Sequence, residues 1–305
     1  MTDLVVRPLV AGEESLFDSM PDPLPQLRQV GYTEGLAGGG YRPERTWVAL
    51  RAGRVVGRAA WALPPGAVGA PWLERFDLDA EPELGAVLLR AAHRALGGPR
   101  IYYAALPAHW RRRPEVLAVA EAPMAAARLA GLVERGERLR CSWTGTPLPT
   151  PSGRYTFRPA TDAAEIDALV ARIAEPDVLT GKEVARAVAG VDLATDPLAW
   201  LDRPVGNWRI AFDAGQPVGL VGTAGDVCYP LIAYLGLFDE AVRGELLAEA
   251  VRVLAEGGAR EVLADVDAHR VRVLAELERT GFRQLRSRVV FVPAAVPVPD
   301  GAPTG

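Results

Sequence analysis

One order of signals occurs twice in this sequence, on either side of a proline-rich break, and that duplication limits the fold more than any other feature. The break is TGTPLPTPSG, ending at Gly153, where three prolines and two glycines remove backbone donors and helical conformations. Before it, LVVRP at Leu4–Pro8 reads as a strand and Glu13–Met20 as a helix. After it, YTFRP at Tyr155–Pro159 reads as a strand, and Asp162–Ile173 carries Ile166, Leu169, Val170 and Ile173 at helical spacing. Two hairpins follow. Trp47–Leu50 and Val55–Trp61 flank a turn holding Ala52-Gly53, while Trp208–Phe212 and Val218–Thr223 flank one holding Ala214-Gly215. Glycine there supplies the positive φ of a tight hairpin.

Each half continues with a strand (Trp72–Leu78; Tyr229–Phe238), an acidic loop and an amphipathic helix. In the helices Leu88, Leu89, Ala92 and Leu96 match Leu246, Leu247, Ala250 and Leu254. Strands at Arg100–Leu106 and Glu261–Val266, a last helix, and end strands at Leu139–Trp143 and Arg288–Val292 complete the units. Two copies of one β-hairpin-plus-βαβα unit is the economical reading, with domains at 1–146 and 154–305 and a linker at 147–153. A chain of 305 residues has the length for two cores.

Composition narrows the partners. A formal net charge of −4 lacks the concentrated positive field that nucleic acid or an anionic membrane requires, so neither is expected as a partner. Cys141 and Cys228 lie far apart, without metal or redox spacing, and read as small core residues; no metal site is expected. The start, MTDLVVRPLV, lacks a basic segment followed by an apolar run, and a cytoplasmic location is expected. Gly35–Gly40 does not join a strand to a helix and reads as a loop rather than a phosphate cradle.

The stretch from Tyr234 to Phe282 resembles the GNAT superfamily of acyl-CoA-dependent N-acyltransferases: a strand at Tyr234–Phe238, an Arg243-Gly244 remnant of the Arg-Gly loop, a helix, a strand, a helix and a Gly281-Phe282 turn. In the first half Gly131-Leu132 and the element order carry the likeness, and the whole is similar to tandem members of that superfamily. The resemblance implies an α/β (α+β) fold with two tandem domains, each a mixed central sheet flanked by helices. It also implies acetyl-CoA as co-substrate and a small-molecule amine as acceptor, with the second half as the catalytic copy. Helix N-terminal amides hold a pyrophosphate, and an open strand edge pairs with the pantetheine arm.

Carried onto this chain, the donor site comprises Leu235, Gly236, Leu237, Phe238, Val242, Arg243, Gly244 and Glu245. Asp226, Glu240 and His269 are the candidate bases for the acceptor amine, and Tyr234 is a further candidate to carry protons. Tyr229, Trp110 and Arg111 are candidates for the acceptor, the last two because His109-Trp110-Arg111-Arg112-Arg113 is the densest positive run in the chain. Departures from the family pattern are plain. The loop before the helix is about one turn short, Glu81 and Glu83 stand where a phosphate would lie in the first half, and Leu277 falls at the position of the family's tyrosine acid. A GNAT-like protein without acetyltransferase activity, a binding or regulatory module or a scaffold for another reaction, is therefore the alternative. The sequence leaves monomer and homodimer both open.

Overall fold

The structure is a computed structural model that describes residues 4–27, 31–63, 65, 70–145, 147, 151–179, 205–224 and 230–294. Two compact units emerge. Unit 1 comprises Met1–Leu106, Arg111–Arg135 and Val289–Gly305; unit 2 comprises Pro107–Trp110 and Gly136–Arg288. Both are mixed α/β sheets with helices on their faces.

In unit 1, β1 (Leu4–Pro8), β2 (Thr46–Arg51), β3 (Arg54–Ala62) and β4 (Trp72–Leu78) are antiparallel neighbours, and β5 (Tyr102–Pro107) runs parallel to β4. Its helices are α1 (Glu14–Asp18), α2 (Tyr32–Ala37), α3 (Pro82–Ala95) and α4 (Pro114–Leu129). Phe17 of α1 and Tyr32 of α2 stack at 4.1 Å over the apolar face that β2 and β3 present through Val48 and Ala60.

The end strands divide between the units. Strand β6 (Leu132–Trp143) has its residues from Gly136 onward in unit 2, and β13 (Arg283–Pro293) has its residues from Val289 onward in unit 1. There Phe291 stacks on Tyr102 at 5.6 Å, under the Arg128 guanidinium. A boundary at the 147–153 linker does not separate these units, because each sheet takes part of the other half's last strand.

Unit 2 repeats the plan with β7 (Thr156–Pro159), α5 (Ala163–Val170), β8 (Val178–Leu179), β9 (Trp208–Asp213), β10 (Gln216–Ala224), β11 (Leu231–Leu237), α6 (Arg243–Glu256), β12 (Val262–Asp267) and α7 (Val271–Arg279). Antiparallel pairs β7·β9, β9·β10 and β10·β11 mirror β1·β2, β2·β3 and β3·β4. Local chemistry repeats as well. Arg7 of β1 reaches Glu13 at 2.6 Å, as Arg158 of β7 reaches Glu165 at 2.5 Å. Ala52-Gly53 and Ala214-Gly215 all have positive φ, the paired left-handed conformation of a two-residue hairpin turn. Asp162 caps α5 by accepting from the Glu165 amide at 2.8 Å. On one face α6 buries Leu246, Leu247, Ala250 and Val251 without residual exposure, about 1.5–3 kcal/mol for each large side chain. On the other, α5 packs Ile166, Leu169 and Val170 against Trp208, Ile210 and Leu220.

His93 of α3 is buried edge-on to Trp61 with its Nε2 unpartnered among the described atoms, and burial, aided by the nearby Arg100 charge, pushes its pKa down to about 4. The unfolded chain takes up this proton near pH 6.5 and the folded one does not, so stability falls as pH drops through that window. Between pH 7 and pH 4 the loss from this group is about 3 kcal/mol. Urea unfolding of the chain and of His93→Leu at both pH values measures it, and identical pH dependence in the two proteins removes the assignment. Among the described residues no helix is long and apolar enough to cross a membrane.

Candidate functional site

The feature that creates a slot in each unit is a pair of parallel strands that part. In unit 2, β11 and β12 share the single partner pair Leu231↔Leu263, and in unit 1, β4 and β5 share only Leu73↔Tyr102. Beyond that pair the strand edge at Tyr234–Leu235 is available for another partner.

In unit 2 that partner is the chain itself. Strand β8 pairs antiparallel with β11, Leu179 opposite Tyr234 and Val178 opposite Leu235, and the Asp177 amide donates to the Leu235 carbonyl at 2.8 Å. The Asp177 carboxylate then lies between two guanidiniums. Arg243 Nε donates to it at 2.6 Å, with both side chains only 11% exposed, and Arg270 Nη1 approaches at 3.2 Å while also pairing with Glu175. A third arginine, Arg138 of β6, donates to the Leu179 carbonyl at 2.7 Å and the Asp265 carbonyl at 3.0 Å, and contacts Asp267 at 3.1 Å. Residues 175–179 are thus held by three arginines and by strand pairing.

The remaining donor-site residues each have neighbours of their own. A Cβ at Gly236 would overlap the Ile173 side chain, and one at Gly244 would overlap the Glu276 carboxylate of α7. Val242 is wholly inside the core, and the Phe238 ring lies under Arg172 at 4.3 Å. Leu237 pairs with Gly219 of β10, and Glu245 accepts from the Ser152 amide at 3.2 Å.

Of the proton-transfer candidates, Tyr234 is fully buried against Trp208, and burial alone drives its pKa up, with no hydrogen-bond partner for its hydroxyl among the described atoms. Glu240 is exposed and pairs with Arg272 at 2.9 Å, 3.8 Å from Arg243. His269 is exposed beyond the end of β12; its neighbour Arg270 is the residue that reaches Asp177. Asp226 and Tyr229 lie outside the described residues. Trp110 is buried and donates through Nε1 to Glu137 at 2.8 Å, while Arg111 is exposed and belongs to unit 1. The structure gathers Arg243, Gly244, Glu240 and the β11 residues into one region, and within unit 2 it does not bring His269 or Trp110 into contact with Asp177.

Sequence reasoning missed Asp177, Arg138, Arg140 and Arg270. A signal for part of this existed: Arg138 and Arg140 alternate on β6 as Asp265 and Asp267 do on β12, so each pair shares a face. The register sets Arg140 opposite Asp265 and Arg138 opposite Asp267. Burial pushes the Asp265 carboxyl up, but two hydrogen bonds from Arg140 at 2.7 and 2.8 Å, with the Arg138 and Arg288 charges, hold it below the ordinary carboxylate range.

In unit 1 the slot between β4 and β5 is reduced to a cavity of about 40 Å³ lined by Phe76, Tyr102, Tyr103 and Met124. Helix α3 begins with Glu81 at its N-cap, paired with Arg51, followed by Pro82 and Glu83. Two carboxylates there oppose an incoming phosphate.

No protein-family model and no curated protein matches this sequence. Solved structures do. A GCN5-related N-acetyltransferase from Sphaerobacter thermophilus is 14% identical with a TM-score of 0.56, the match covering 94% of each chain. A GCN5-related glucosamine N-acetyltransferase region of a fungal multi-domain β-N-acetylglucosaminidase is 12% identical with a TM-score of 0.51, covering 96% of this chain and 38% of that one. A tandem GNAT protein from the clavulanic acid biosynthesis pathway is 17% identical with a TM-score of 0.44, covering 95% and 98%.

Proposed function

From the premise that this chain carries the GCN5-related N-acetyltransferase fold in tandem, we propose that it acts as a binding or regulatory module, not as an acetyl-CoA-dependent transferase. The observation that carries this reading is Asp177, seated between Arg243 and Arg270 with its amide on the Leu235 carbonyl. A pyrophosphate needs the amides and the arginine at the start of α6, and a pantetheine arm needs the edge of β11. Asp177 holds Arg243, β8 pairs with the β11 edge, and the Glu276 carboxylate packs against Gly244. The matching slot between β4 and β5 of unit 1, at about 40 Å³ among the described residues, is far below the several hundred cubic ångströms of a cofactor pocket. As arranged, the described residues at the start of α6 and along the β11 edge therefore do not fit acetyl-CoA.

The fold favours a second reading, transfer of an acetyl group from acetyl-CoA to an amine of a small molecule in the cytoplasm. It needs residues 175–179 to leave the β11 edge and Arg243 to exchange Asp177 for a phosphate. Isothermal titration of the full chain with acetyl-CoA separates the two. The expected result is no saturable heat up to millimolar acetyl-CoA. Micromolar binding that Arg243→Glu abolishes would overturn the proposal in favour of acyl transfer.

A further inference from the structure

Unit 2 contains a second opening that shares no residue with the Asp177 cluster, a cavity of about 770 Å³ beside α7 and the start of β13. That volume lies within the range of pockets that enclose small organic ligands. Its floor is apolar, with Cys141, Leu277 and Phe282 each no more than 5% exposed. Burial, with the Asp265 charge, pushes the Cys141 thiol up to about 12, so this sulfur is an inert part of the floor and not a nucleophile.

The rim differs in kind. Glu278 and Arg283 both line the opening, and among the described residues neither has a partner of opposite charge. Arg279, also at the rim, is engaged by Glu276 at 2.5 Å. His109 borders the cavity with a φ of +54°, a conformation that costs a non-glycine residue about 1 kcal/mol or more and gathers at ligand-binding positions. Its neighbour Trp110 is buried and hydrogen-bonded to Glu137.

We propose that this cavity binds an amphipathic zwitterion, a compound of about dipeptide size with a free ammonium group, a free carboxylate and an apolar body. Arg283 takes the carboxylate, Glu278 takes the ammonium, and the Cys141–Leu277–Phe282 floor takes the apolar body. Using one acid and one base of opposite sign selects against ligands carrying only one charge, because either leaves one rim charge facing a neutral group.

The test is calorimetric titration of the full chain with phenylalanyl-leucine, its N-acetyl form and its C-terminal amide. The free dipeptide is expected to bind at least tenfold more tightly than either blocked form. Arg283→Gln should erase the difference between acid and amide while keeping that between free and acetylated amine, and Glu278→Gln should do the reverse. Both side chains are exposed, so neither change threatens folding. Equal affinity for all three ligands, no binding at 10 mM dipeptide, or affinities that neither substitution alters would each overturn the assignment; that concentration is roughly ten times the 1 mM Kd of a −4.1 kcal/mol interaction. Acetyl-CoA takes no part in these titrations, so their outcome is independent of the donor slot.

Discussion

Expressed alone, residues 151–305 are expected not to reach the native fold, even though the proline-rich break makes them look like a complete domain. Such a fragment lacks Gly136–Trp143, the part of β6 that belongs to unit 2 and pairs with β12 from Val262↔Trp143 to Asp267↔Arg138. Without it β12 exposes an unpaired edge, and the core loses Cys141 and Trp143. The loss extends to charge. Asp265, buried among apolar side chains, would lose both hydrogen bonds from Arg140, and Asp267 and the Leu179 carbonyl would lose Arg138. Orphaning one buried ion-pair partner costs about 3–5 kcal/mol, a large share of the roughly 5–15 kcal/mol that stabilises a domain. A fragment of residues 130–305, which restores the strand, is expected to regain cooperative unfolding by circular dichroism. A sharp, two-state thermal transition in 151–305 with the amplitude of the longer fragment would show that the strand is dispensable.

Why the duplicated architecture was legible and this exchange was not follows from the range of the interactions. Hairpin turns at Ala52-Gly53 and Ala214-Gly215, the Arg-Pro strand ends at Arg7 and Arg158, and the helical stripe of Leu246, Leu247 and Ala250 are local, written within a few residues each. Whether β6 completes one sheet or the other is not local, since two copies of one unit offer it near-equivalent edges with the same alternation of apolar and polar faces. The donor slot shows the same limit. Arg243-Gly244 was visible at the start of α6, but its partner Asp177 lies 66 residues earlier, between Glu175-Pro176 and the two-residue strand β8, in a stretch that reads as loop. Tyr234 was visible on β11 as a hydroxyl-bearing strand residue; its full burial comes from α5 and Trp208 packing on that face, which no spacing within β11 announces.

Replacing Asp177 by alanine should cost about 3 kcal/mol of stability, more than an ordinary surface ion pair by a wide margin, because the guanidinium it leaves behind is buried. Arg243 and Asp177 are each 11% exposed, and Arg270 is 14% exposed, so neither arginine regains full hydration when the carboxylate goes. Some relief is available from Glu240 at 3.8 Å from Arg243 and from Glu175 on Arg270, which places the expected loss near the lower end of the range for a broken buried pair. In a unit of about 150 residues this lowers the melting temperature by roughly 6–12 °C. Asp177→Ala with Arg243→Leu should recover part of the loss, since removing both charges leaves one less orphan, and the cycle should return a coupling of about 2 kcal/mol. A loss below about 0.5 kcal/mol in the single variant, the size of an exposed pair, would mean that Asp177 does not hold the segment in the slot. The same variant probes the donor site from the other side. If residues 175–179 are part of the folded core, acetyl-CoA binds Asp177→Ala no better than the unaltered chain, and a gain of tenfold or more in its affinity would instead make the segment a removable guard on a working acyltransferase slot.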